Sequence, residues 1–134
     1  MRLISFIIFL FSLSLSPAGF TADEDEKEEK KPVIYHSLSP SLITNVQGNA
    51  KYIRCDVQLM TRNEDNIPEI ELHAAAIRHD LLLLFSEQQG DELKKPKGKE
   101  RLRKAALKAI RARMEALSGE ARIEDLFFTS YFVK

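Results

Sequence analysis

The chain has 134 residues, room for one domain and a leader. Its 20 Lys and Arg balance 20 Asp and Glu, and zero net charge argues against a general nucleic-acid binder, which is expected to be strongly basic. The single cysteine, Cys55, excludes an internal disulfide.

Met1 and Arg2 are followed by an uncharged run from Leu3 to Leu15, then by the small residues of Ser16-Pro17-Ala18. A short positive start, an apolar core of this length and a small-residue site describe a secretory signal over 1–18. The uncharged run reaches Ala22, so an anchor extending to that residue is the alternative, since a membrane span needs about 20 apolar residues. Either version sends the remainder outward from the inner membrane, away from ATP and chromosomal DNA. Asp23 to Lys31, DEDEKEEKK, has no apolar residue and reads as a solvated linker within 19–32. A single folded domain is expected over 33–134.

Val33 to Leu38 and Leu42 to Val46 are short β-rich runs separated by Ser39-Pro40-Ser41, a turn cluster. Gln47-Gly48-Asn49 reads as a second turn. Lys51 to Thr61 alternates clearly. Ile53, Cys55, Val57, Leu59 and Thr61 share one face, and Arg54, Asp56 and Gln58 share the other. That pattern fits an antiparallel sheet covered on one side, and it makes Cys55 a buried structural thiol rather than a reactive or bridging one.

Ile67 to Ser86 is expected to form one helix, with Pro68 at the first helical position and Gly90 closing it in a left-handed conformation. Ile70, Ala74, Ile77, Leu81, Leu84 and Phe85 make its apolar stripe. Leu72, Leu82 and Leu83 fall off that stripe. A helix apolar on both sides is sandwiched or meets a partner, so these three are candidate subunit-interface residues unless the N-terminal strands cover them.

Asp91-Glu92-Leu93 can add a turn of helix, and Gly98 opens a further helix to Leu117, ended by Ser118-Gly119. Leu102, Ala106, Leu107, Ile110, Met114 and Leu117 form its stripe. Ten of the twenty residues from Lys94 to Arg113 are basic, and within that run only Glu100 opposes them. Arg101, Lys104, Lys108 and Arg111 lie away from the stripe. They read as a solvated face, as a contact for an anionic membrane surface, or as one for an acidic partner. Nucleic acid would want aromatics interleaved with the cations, and none occur between Phe85 and Phe127. Ile123 to Val133 carries bulk on both alternating faces, so an internal strand covered on both sides is expected. The whole reads as α+β, with helices packed on one face of a mainly antiparallel sheet.

No catalytic, metal or cofactor motif accompanies these elements. His73 and His79 are six residues apart and diverge on a helix, while Glu69 and His73 can pair at i, i+4. No glycine-flanked serine or phosphate-cradling loop occurs. A non-enzymatic role without cofactor is expected.

Four stretches in this order, KYIRCDVQL, AAAIRHDLLLLFSEQ, GDELKKPKGKERLRKAALKAI and GEARIEDLFFTSYFV, resemble the flagellar basal-body-associated protein family FliL. The resemblance runs from about Val33 to the C-terminus. It implies a periplasmic domain of stomatin/prohibitin-like fold, assembled as a ring of copies beside the flagellar motor, contacting stator units and supporting swimming or swarming. Family members usually carry a cytoplasmic head and a full membrane helix, whereas this chain has a signal-like leader. A periplasmic adapter or membrane-surface binder unrelated to motility is the alternative function.

Overall fold

The computed structural model describes residues 30–134. The expectations on the leader, its cleavage site and the linker up to Glu29 lie outside the described residues. Three antiparallel strands make one sheet in the order β1-β2-β3: Ile34–Asn45, Tyr52–Thr61 and Asp125–Val133. Four helices intervene between the second and third strands: α1 (Asn66–Leu72), α2 (Ala74–Ser86), α3 (Gly90–Leu93) and α4 (Pro96–Ser118). All pack on one face of the sheet, so the α+β arrangement with one-sided helices is found as expected.

The alternation in β2 is realised residue by residue. Ile53, Cys55, Val57, Leu59 and Thr61 are buried, and Leu38 and Leu42 of β1 and Leu126 of β3 join them on the inner face. Ile70, Ile77, Leu81 and Phe85 descend from α1 and α2, and Leu102, Ala106, Ile110 and Met114 from α4. Apolar surface leaving water at roughly 25 cal/mol per Å² is what drives these faces together. Within the expected stripes, Leu84 and Leu107 are only half-buried and Leu117 is exposed.

The structure departs from the sequence expectations at four points. Ser39-Pro40-Ser41 is not a turn but a bulge in one continuous strand, since Leu38 pairs with Val57 and Leu42 with Cys55. Both halves of β1 follow the same partner, and a bulge tolerates the missing N–H of Pro40. The expected single helix breaks at His73, which has φ −103° and ψ 10°; Pro68 falls in the first turn of α1.

Gly90 does not close a helix in a left-handed conformation. It opens α3, and a Cβ there would sit 2.3 Å from Ala50 Cβ, so what the position requires is close approach. Gly98 is tighter still: a Cβ would lie 1.8 Å from the Glu92 carbonyl oxygen, which lets α4 start against α3.

Finally, β3 is an edge strand and not an internal one. A register shift opposite Asp56 and Val57 changes its phase, so Leu126, Phe128, Tyr131 and Val133 all lean on the core. Phe127 and Phe132 stay on the open face, where they meet Tyr35 and Tyr52 with ring centroids 6.2 Å apart in both pairs. Their bulk is answered sideways across the strands instead of by a second layer.

Candidate docking surfaces

The basic run belongs almost wholly to α4, and its cations divide by helical phase. Burial of Gly98, Leu102, Ala106, Ile110 and Met114 turns Lys97, Arg101, Lys104 and Lys108 outward. Acids from elsewhere in the chain meet many of the rest. Arg103 donates to both Glu100 oxygens at 2.8 and 2.7 Å and to Asp125 at 2.6 Å. Arg113 takes Asp80, and Lys94 and Lys95 approach Asp91 and Glu92. Lys99 stands 5.0 Å from the centre of the Tyr131 ring.

Of the four residues singled out for partner binding, Arg101 lies 3.8 Å from Glu92 but remains highly exposed. Arg111 donates to the carbonyl oxygen of Ile123. Lys104 and Lys108 have no ion-pair partner among the described residues, and neither does Lys97. Lys104, Leu107, Lys108, Arg111, Ala112 and Glu115 line a shallow depression of about 410 Å³. The four residues do share one side of α4, so the structure brings them together.

The three leucines are separated. Leu72 is 72% exposed and Leu83 51%, whereas Leu82 packs against the core. Leu72 ends α1 and Leu83 lies in α2, beyond the break at His73. An apolar surface unrecognised in the sequence is the open sheet face, where Tyr35, Ile43 and Phe132 are all more than half exposed. Its signal was available: Tyr35 and Ile43 are out of phase with Leu38 and Leu42.

The remaining chemistry-bearing side chains hold elements together. His73 sits 3.8 Å from Glu69, the expected i, i+4 pair. His36 is 4.0 Å from Glu71, and no grouping of three or more metal-ligating side chains occurs among the described residues. Cys55 is fully buried, and burial, reinforced by the charge of Asp56, pushes its thiol up to about 12. Tyr131 donates its hydroxyl to the Leu93 carbonyl at 2.8 Å, and burial likewise pushes it up to about 12. No helix among the described residues is long and apolar enough to cross a membrane.

A closed core, polar side chains engaged between elements, and exposed cationic and apolar side chains define a small α+β domain. The family model for flagellar basal body-associated protein FliL matches residues 35–133, essentially β1 through β3, and the chain belongs to that family. This is a flagellar accessory family rather than a known enzyme family. The chain is also similar to the flagellar protein FliL of Aquifex aeolicus (strain VF5), at 25% identity over 103 residues, covering 75% of this chain and 62% of that relative. It therefore spans less than two thirds of the relative's length.

Proposed function

We propose that this chain is a non-enzymatic accessory of the flagellar basal body that supports stator units, and through them swimming or swarming. The family match across the whole sheet-and-helix domain carries this reading. The domain works on the outer side of the inner membrane, delivered by the leader of residues 1–18 or held by an anchor reaching Ala22. Its fold is of the stomatin/prohibitin-like kind, and the one-sided packing of α2 and α4 on the sheet is consistent with that. Copies associate through the exposed side of α1 and α2 around Leu72 and Leu83. The basic side of α4, at Arg101, Lys104, Lys108 and Arg111, serves a stator or basal-body protein of acidic character.

Deletion of the gene, followed by swimming and surface-swarming assays, tests the role. Loss of swarming at high load, restored by the intact gene, is the expected result. The second reading, an adapter or inner-membrane surface binder unrelated to motility, draws on Lys97, Lys104 and Lys108 of α4, which are exposed and have no ion-pair partner among the described residues. It gains if the deletion strain swims and swarms normally while the purified protein sediments with anionic vesicles in a salt-dependent way.

A further inference from the structure

The bulge in β1 opens a cleft on the side of the sheet that no helix covers. Ser39-Pro40-Ser41 stands out of register between Leu38 and Leu42, opposite the step from Cys55 to Val57. Arg78 of α2 donates to the Pro40 carbonyl and ties the bulge to the helical layer. The displaced backbone leaves a cleft of about 510 Å³ beside Asp56, lined also by Ser37, Ser39, Ser41 and Thr129.

Its polar groups offer donors and acceptors together. Asp56 accepts from Ser41 through Oδ1, while its Oδ2 has no hydrogen-bond partner among the described residues. Ser37 Oγ accepts from Gln58 at 3.3 Å and so keeps its own proton to donate. Thr129 donates to the Asp56 carbonyl at 3.5 Å, and the Ser39 hydroxyl is exposed. A ligand hydroxyl, which gives and takes at once, meets such a set. Asp56 is the one charge in the cleft, and Arg54 on the same face of β2 offsets it, so neither a cation nor an anion is favoured. Apolar groups stand at both ends of this polar belt. Gln58 is in register with Ser37 and with Phe127, against which Tyr35 packs. Four residues along β2, Arg54 is in register with Ile43 and Phe132, so the two ends lie about 13 Å apart. A pyranose ring has the matching character, an apolar C–H face and a rim of hydroxyls, and a chain of them is needed to reach both ends. We propose that the open face of the sheet, centred on the Asp56 cleft, binds an extended neutral saccharide. Its ring faces lie on Tyr35 and Phe132, and its hydroxyls bond Asp56, Ser37 and Ser39. The inference does not depend on the flagellar role.

Titration of the ¹⁵N-labelled full chain with two β-1,4-linked tetrasaccharides, one of glucose and one of N-acetylglucosamine, tests the site through its amide shifts. At least one of them should shift residues 37–43, 54–58 and 127–132 saturably, with a Kd of about 1 mM. Tyr35→Ser changes an exposed position, and Asp56→Asn keeps the acceptor for Ser41 while removing the charge. Each should weaken binding about tenfold, with the remaining spectrum unchanged. No saturable shift with either sugar, or shifts led by residues outside the open face, overturns the proposal. Unchanged affinity in either variant does so too. Glycerol at matched hydroxyl concentration is the control: equal shifts at the same amides also overturn it, because the cleft would then answer to any alcohol.

Discussion

Arg113 of α4 grips Asp80 of α2 through two parallel bonds, Nε to Oδ2 at 2.6 Å and Nη2 to Oδ1 at 2.7 Å. The fork geometry fixes the relative position of the two long helices as well as attracting opposite charges. It also reassigns Arg113 from the basic surface to the frame of the fold.

That pairing gives the domain an acid-sensitive joint. The Arg113 bond holds the Asp80 carboxyl below its ordinary value of 3.8. A carboxylate depressed in the native state contributes stability that is complete above the ordinary value and is lost as pH falls through the native one. Asp80→Asn should lower the urea midpoint at neutral pH. It should also flatten the loss of stability below pH 3.8 relative to the wild type. Glu92 and Glu100 are depressed from 4.5 by their bonds to Lys95 and Arg103, so some acid loss persists in the variant. Urea melts at several pH values, read by circular dichroism, check both effects; parallel curves would remove Asp80 from the acid response.

A second joint is neutral at its centre. Asn66, buried at the start of α1, donates to Thr61 Oγ1 at 2.8 Å and to the Arg122 carbonyl at 3.1 Å. Its own oxygen accepts from Arg122, which adopts a left-handed conformation with φ 56° and also holds Ser118. Asn66→Ala leaves the Arg122 carbonyl unpaired in a shielded place. Such a loss costs about 1–3 kcal/mol, and Asp at this position, which keeps only the acceptor, should recover a part. Chemical denaturation of the two variants measures the difference.

Long-range ion pairs mark the limit of what the residues alone disclose. Alternation in β2 and the stripes of α2 and α4 were readable because burial imposes a local period. Ile53 to Leu59 and Leu102 to Met114 behave as that period requires. Asp80 and Arg113 are 33 residues apart, and Arg103 finds Asp125 across 22, so nothing local marks either pair. Pro40 reads as a turn because a turn and a bulge use the same residues; only the length of β2 decides between them. The edge position of β3 was hidden by Phe127 and Phe132, whose bulk on the open face imitates burial on both faces. Of the docking surfaces, the basic side of α4 was legible from phase, whereas the partition among the leucines needed the packing of Leu82.

Cys55 supplies a probe of opening. Its thiol is fully buried and pushed up to about 12, so the reactive thiolate is scarce and shielded at neutral pH. Labelling by an aromatic disulfide reagent should be slow in the native protein and complete at once in denaturant. Its rate should track the stability of the β2 region, rising in Asn66→Ala. Fast native labelling would show that the inner face of β2 opens readily.

The leucine surface can be tested by three substitutions that the structure places in different surroundings. Leu72 and Leu83 are exposed, so aspartate at either remains in water and should leave the fold intact. Leu82 is partly buried against the core, and aspartate there brings a charge against apolar neighbours, forfeiting part of the about 1.5–3 kcal/mol that full burial of a leucine contributes and adding the cost of desolvating a charge. If Leu72 and Leu83 seat a second copy, the double variant Leu72→Asp/Leu83→Asp should stay folded and lose the larger species of the wild type. Leu82→Asp should instead melt early. Light scattering alongside circular dichroism reads size and fold on the same samples. A folded double variant with an unchanged size distribution would remove this side of α1 and α2 from any subunit contact. The open sheet face, where Tyr35, Ile43 and Phe132 are exposed, would then be the next apolar surface to test for assembly among the described residues.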